Sequence, residues 1–204
     1  MAHRRAQSIR LFANPILEAL THVHPAVPLL VWGPLAGWLL LRAAARDLPT
    51  AGLLLTAAAG LFTWTLAEYC LHRFLFHYRA KSRVGQWLVF LFHGVHHETP
   101  QDRTRLVMPP AGAALILAVL WVLFGLVVPE PWLEPFLAFF IAGYLCYDYI
   151  HYATHHCRLQ WTPARQLKRH HMLHHYAGEE ARFGVSSPLW DWVFGTLGRR
   201  PRAG

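Results

Sequence analysis

The chain is short of acid, and short of charge altogether. Asp and Glu number 11 against 19 Lys and Arg, and charged residues make up 15% of the 204 while hydrophobic ones make up 54%. So little polarity does not cover a soluble domain of this length, and a membrane class is favoured before any motif is read. Cysteine is scarce too. Cys70, Cys146 and Cys157 are an odd number, two of them inside apolar stretches, which argues against a disulfide framework and suits a reducing compartment. No low-complexity tract or Ser/Gly linker divides the sequence, so residues 1–204 read as one domain. Nor does a compact apolar core with a cleavage site follow Arg4, Arg5 and Arg10 at the distance a signal peptide requires.

What the sequence has instead is apolar length. Ala26 to Leu41, Ala51 to Cys70, Ala111 to Val128 and Trp132 to Ile150 each approach the roughly 20 residues that span hydrocarbon. Short connectors, Arg46 to Thr50 and Val128 to Pro131, join them into two helical hairpins. Trp87 to Phe92 is too short to cross and reads as a partly buried or interfacial helix. The expected fold is an all-α integral membrane protein: four transmembrane helices in two hairpins, with a histidine-rich helical cap built from residues 71–110 and 151–204. Trp161 to Pro163 marks a turn before the last histidine-bearing helix. Arg199 to Gly204 reads as a disordered basic tail.

The formal charge of +8 raises the question of nucleic acid, and its distribution answers it. The N-terminal arm carries 3 basic residues, 71–110 carry 6 and 151–204 carry 8, leaving only Arg42 and Arg46 on the other connections. With four spans these three segments share one side. The positive-inside rule makes that side the cytoplasm, with anionic lipid as the natural neighbour and no nucleic acid required.

Against these scarcities stand fifteen histidines, ten of them in four clusters: His72/His77, His93/His96/His97, His151/His155 and His171/His174/His175. Helical residues three and four apart share a face, so the last three clusters can each point inward. His72 and His77 are five apart, about 140° around an α-helix, which does not chelate one ion easily. That spacing suits a helix lodged between two metals, or one whose last turn unwinds. Ten imidazoles exceed one ion's coordination and divide into two sets of about five. His3, His22 and His24 lack the spacing and read as surface residues. His156 and His170 point about 100° from their neighbours and read as outer contacts or exposed groups. Cys157, beside His156, is not counted as a ligand.

Neutral imidazoles leave metal charge uncompensated and normally donate their second nitrogen to carboxylates or carbonyls. The candidates for that outer role are Glu68, four residues before His72, Asp148, three before His151, and Asp102 and Asp191 in the cap. Acids inside an apolar span are expensive and so usually functional. The tyrosines and tryptophans around 69–78, 144–152 and 190–192 fit an interfacial aromatic belt.

In order, HRFLFH, HGVHH, DYIHYATHH and HHMLHH, closing with FGVSSPLWDWVFGT, resemble the fatty acid hydroxylase superfamily of membrane oxygenases. The likeness runs from about Leu61 to Thr196 and is strongest to its fatty acid 2-hydroxylases. It implies metal ligation by His72, His77, His93, His96, His97, His151, His155, His171, His174 and His175. It also implies oxygen-dependent hydroxylation of a long acyl chain at C2. The fused cytochrome b5 domain of the eukaryotic enzymes is absent, so a separate electron donor is expected, either cytochrome b5-like or a ferredoxin with its reductase. Breaking an unactivated C–H bond requires a redox metal, and iron is expected. Zinc has no redox chemistry and could fill the same imidazoles without doing this work. Arg103 and Arg105 are candidates for contacting an acyl headgroup. A sterol or carotenoid hydroxylase or desaturase of the same superfamily is the alternative. A metal transporter or sensor is a further one, although transport wants polar groups midway along several spans, which Val31 to Leu41 and Ala111 to Val128 hardly offer.

Overall fold

The computed structural model describes residues 8–198. Helix α1 (Pro15–Leu20) starts where Asn14 Oδ1 accepts from the N–H groups of Ile16 and Leu17, with Pro15 in the first turn. Then come α2 (Val27–Ala44) and α3 (Thr50–Cys70), the latter running without a break into a π-helical segment, Leu71–Phe76. Helix α4 (Arg83–Val89) is capped by Ser82 and passes through a second π-helical segment, Phe90–Gly94, into α5 (Val95–Glu98). Helices α6 (Pro110–Gly125), α7 (Leu133–His156), α8 (Thr162–Ala177) and α9 (Leu189–Val193) complete the described chain, which contains no strand.

Three of these elements are long and apolar enough to cross a bilayer: Val27–Ala44, Thr50–Phe76 and Leu133–His156. They identify a membrane protein, and they match three of the four expected stretches. The remaining one, expected over 111–128, is a helix of 16 residues. At 1.5 Å per residue it is about 24 Å long, short of the roughly 30 Å of hydrocarbon. Pro110 opens it and the chain turns after Gly125, so the apolar run is longer than the helix it forms. Trp87 to Phe92 straddles α4 and the second π-helical segment, partly buried as expected. The expected turn before α8 falls at Trp161, and the tail expected over Arg199 to Gly204 lies outside the described residues.

Helix α7 is the post around which the others pack. Its buried Phe136, Leu137 and Ile141 meet Trp32 and Leu39 of α2 and Ala113 of α6. At the end remote from the histidines, Arg42 donates to Glu134 at 2.8 Å and Arg46 to Glu130 at 2.6 Å, fastening the close of α2 to the start of α7. On the other flank α3 comes close through glycine. A Cβ on Gly60 would lie 2.6 Å from the Phe136 carbonyl, and one on Gly143 would lie 2.6 Å from Trp64 Cβ. Outward-facing Leu30, Leu41, Leu54, Leu55, Val122 and Leu126 remain exposed, an apolar surface of the kind hydrocarbon covers.

This contact sets the distance between the two histidine-bearing spans. Gly60→Ala is expected to lower stability by about 1–3 kcal/mol, because the new methyl meets backbone that cannot rotate aside. Thermal unfolding in detergent measures it; an unchanged midpoint would show that α3 and α7 are not held this closely.

Candidate metal centre

The ten clustered imidazoles converge into two groups of five. One contains His72, His77, His93, His97 and His174, the other His96, His151, His155, His171 and His175, and within each the ligand-capable atoms lie within 4.8 Å of one another. The clusters are shared rather than assigned whole: α5 sends His96 one way and His97 the other, and α8 divides His174 from His171 and His175. Residues one apart on a helix differ by about 100° and residues three apart by about 60°, enough to serve two neighbouring centres, while His93 and His97, like His171 and His175, stand four apart and share a group. His97 and His175, one from each group, stack with ring centroids 4.3 Å apart.

His72 and His77 correct the expectation drawn from an α-helix. They belong to the same group, with Nε2 atoms 3.2 Å apart. The segment between them is π-helical, and the His77 N–H reaches the His72 carbonyl at 3.1 Å. An i to i+5 winding brings residues five apart onto one face. The pair therefore serves one centre, not two.

The groups fit metal ions. In the first, Nε2 separations are 3.0 Å for His72–His93, 2.9 Å for His93–His97 and 3.1 Å for His77–His174. In the second they are 3.1 Å for His96–His151 and for His96–His175, 3.0 Å for His171–His175 and 2.8 Å for His155–His171. Two nitrogens at right angles around an ion about 2.1 Å away stand about 3.0 Å apart. Hydrogen bonding does not explain these contacts as well. One Nε2 offers a single hydrogen or a single lone pair, yet His72, His93 and His96 each face two neighbours.

Burial keeps these rings uncharged. It is the foremost cause of lowered pKa values outside the spans, with adjoining imidazoles adding to it: His77 falls to about 4, and His97 and His175 to about 2. His174 falls to about 4 through burial. A neutral imidazole is the form that ligates.

The four acids support the centre less directly than expected. Glu68 accepts from the Val185 and Ser186 N–H groups at 2.6 and 2.8 Å and from the Ser186 hydroxyl. Asp191 accepts from Phe183 N–H at 2.9 Å, Gly184 N–H at 2.8 Å, Thr196 Oγ1 at 2.7 Å and His170 Nε2 at 2.9 Å. Both therefore hold the strand of backbone around 183–186. From the same turn of chain, His72 Nδ1 finds the Phe183 carbonyl at 2.5 Å and His174 Nδ1 finds the Ala181 carbonyl at 2.7 Å. Asp148 pairs with the Tyr144 hydroxyl at 3.4 Å, and Asp102 accepts from Thr104 N–H and Oγ1 at 2.9 and 2.7 Å, so neither touches a clustered imidazole. The carbonyls of Ala181 and Phe183 carry no residue-type signal in sequence. Glu179, four residues after His175, does: its carboxylate lies 3.2 Å from His97 Nδ1.

Of the histidines set aside, His170 makes its outer contact through Asp191, while His156 packs on the rings of Tyr152 and His155. His22 is no mere surface group. It meets Thr104 Oγ1 at 2.6 Å and accepts from Arg105 at 2.9 Å. His24 is exposed, His3 lies outside the described residues, and Cys157 is exposed and in neither group. Arg105 is buried against Glu18 at 2.5 Å, and Arg103 is exposed.

Beside the two groups an apolar cavity of about 1100 Å³, open mouth included, enters the helical bundle. His93, His96 and His151 line one part of it, and Ile116, Leu117, Leu120, Phe140 and Ile141 line the part between α6 and α7. Tyr144, Tyr147, Asp148 and Arg105 add the few polar groups.

Asp191→Asn is expected to leave Phe183 or Gly184 N–H without its acceptor and to loosen the carbonyl that orients His72. Removing such an outer support lowers metal affinity about 10–100-fold. Equilibration against chelator-buffered zinc measures this, and unaltered affinity would detach the 183–184 backbone from the centre.

The fatty acid hydroxylase family model matches residues 57–196. The dihydroceramide fatty acyl 2-hydroxylase FAH2 of Arabidopsis thaliana is 39% identical over 189 residues, covering 92% of this chain and 79% of that protein. The ceramide very long chain fatty acid hydroxylase scs7 of Schizosaccharomyces pombe is 40% identical over 200 residues, covering 96% of this chain and 57% of its own. The solved structure of full-length scs7p, in which only the hydroxylase domain is visible, superposes with a TM-score of 0.84 at 37% identity, over 91% of this chain and 70% of that one. By sequence over most of its length, and by fold, the chain belongs to the fatty acid hydroxylase family.

Proposed function

We propose that this protein is a membrane di-iron monooxygenase that places a hydroxyl group on C2 of a long-chain fatty acyl group. The observation that carries the reading is the pairing of two five-histidine groups with an apolar cavity on which His93, His96 and His151 open. Acyl substrates are favoured over sterol or carotenoid rings because the relatives named above act on fatty acyl chains of dihydroceramide or ceramide. A metal pair, when bound by the ten histidines, supplies the redox chemistry needed to activate molecular oxygen, and electrons come from a separate donor protein, cytochrome b5-like or a ferredoxin with its reductase.

The chain's own residues do the rest. Ile116, Leu117, Leu120, Phe140 and Ile141 offer the acyl tail a surface without hydrogen-bonding groups, so an alkyl chain is accepted and water gains nothing by entering. His93, His96 and His151 line the part of the cavity next to the histidine groups, where the carbon to be hydroxylated would lie. The backbone carbonyls of Phe183 and Ala181 hold the hydrogen on Nδ1 of His72 and His174, which leaves both Nε2 lone pairs free to ligate. Glu68 and Asp191 keep that backbone from moving.

The same reading takes α6 as the fourth span of a single domain with core motifs at 61–196. Exposed Leu126 and Val127 extend its apolar length past the last helical turn. The histidine-rich cap then faces the cytoplasm, on the side of the basic segments.

Expression in a host lacking hydroxylated lipids, followed by mass spectrometry of its fatty acids, should reveal one added oxygen at C2. Hydroxylated rings would favour the alternative members of the superfamily, and altered cellular metal with unchanged lipid would favour a transporter. His96→Ala should abolish the product and lower bound metal; full activity would remove His96 from the centre. Leu120→Trp, which fills the α6 side of the cavity, should shift the product distribution toward shorter acyl chains, as read by the same lipid profile. An unchanged distribution would mean the tail lies elsewhere.

A further inference from the structure

The two histidine groups differ in what lies behind them. In the group of His72, the outer nitrogens of His72 and His174 are bonded to the Phe183 and Ala181 carbonyls, and Nδ1 of His97, which makes no hydrogen bond among the described residues, stands 3.2 Å from the Glu179 carboxylate. In the group of His96, Nδ1 atoms of His96, His155, His171 and His175 are buried and have no hydrogen-bond partner among the described residues. Four of that group's five rings therefore have neither a fixed tautomer nor a negative group to offset an ion's charge.

We infer that the two metal positions are unequal, with the His72 group holding its ion tightly and the His96 group holding its ion weakly and exchanging it first. This rests on the di-metal reading above. The physical reason is the outer contact itself. A carbonyl or carboxylate behind an imidazole raises its basicity and fixes its orientation, and losing one such contact lowers metal affinity about 10–100-fold. An N–H buried without an acceptor carries an added desolvation cost for each ring that must hold its hydrogen on Nδ1 when Nε2 ligates. The packing around the groups reinforces the difference. The Phe183 carbonyl belongs to a backbone clamped by Asp191 and Glu68, so His72 is oriented before any ion arrives.

The labile position is built by α7 and α8 with His96 of α5, and two of its ligands, His96 and His151, line the cavity. The ion most readily exchanged would thus be one next to substrate. Protein recovered under metal-poor conditions would contain one ion, in the His72 group.

The test uses the full chain in detergent, loaded with zinc and equilibrated against chelator buffers of falling free zinc, with bound zinc measured by elemental analysis. Two equivalents should be lost in two steps of one each, separated by at least about 10-fold in free zinc. His155→Ala should remove the weaker step and leave the tighter one. Glu179→Ala, a change at an exposed side chain that does not threaten folding, should weaken the tighter step and leave the other in place. A single two-equivalent step would overturn the inference while leaving the di-metal reading intact. So would a tighter step that His155→Ala removes, or one that Glu179→Ala leaves unmoved. Binding of fewer than two equivalents before any chelator is added would overturn the di-metal reading, and the inference with it.

Discussion

Ten imidazole nitrogens brought to within hydrogen-bonding distance of one another, inside protein, are not stable by themselves. Each Nε2 has one valence to satisfy and several must face two neighbours. Protonation, the usual relief for crowded bases, is suppressed because burial disfavours the charged ring, as at His93, His96, His97, His171 and His175. A cation at the centre of each group would convert mutual repulsion into coordination. The rest of the fold is arranged so that this convergence is possible: two spans fixed in register, a π-helical segment that turns two rings the same way, and helices α5 and α8 that bring the remaining rings to them.

That register is set by small residues rather than by specific polar contacts. Gly60 and Gly143 let α3 and α7 approach until backbone meets side chain, and the spans then deliver His72 and His151/His155 to one level. The last contributions come from outside the spans. A short length of backbone, 181–186, is held by Glu68 from α3 and by Asp191 from α9, and it returns two carbonyls to His72 and His174. Acids within or beside an apolar stretch thus act at one remove, through main chain. Membrane span, cap and centre are parts of one hydrogen-bonded unit.

The ten candidates were legible in the sequence because helical spacing is a geometric property that side-chain type exposes directly, and a count of ten imidazoles suggested about five for each of two ions; which histidines gather together was not legible, since the clusters are split between the groups. Three of the four spans were legible for the same reason. What was not legible was any feature set by backbone. A π-helical winding cannot be seen in the letters LHRFLF, so His72 and His77 read as divergent when they converge. The Ala181 and Phe183 carbonyls are invisible to a search for acids, which instead singled out Asp102 and Asp148, each bonded away from the histidines. A helix shorter than its apolar run, as at α6, is likewise decided by where the chain turns and not by hydropathy.

The position of the centre bears on which carbon it can reach. His72 lies near the end of the α3 span and His151 in the closing turns of α7, so both groups stand toward one end of the candidate spans. A lipid lying with its headgroup in the interface presents at that level the carbons next to its carboxyl or amide group. Mid-chain carbons lie deeper, toward the middle of a layer whose half-thickness is about 15 Å. The cavity continues inward from the histidines between α6 and α7, where the remainder of a chain can be accommodated without bending back. On the proposed function, attack near the polar end would need no special recognition of C2 if the histidine groups lie at the interface.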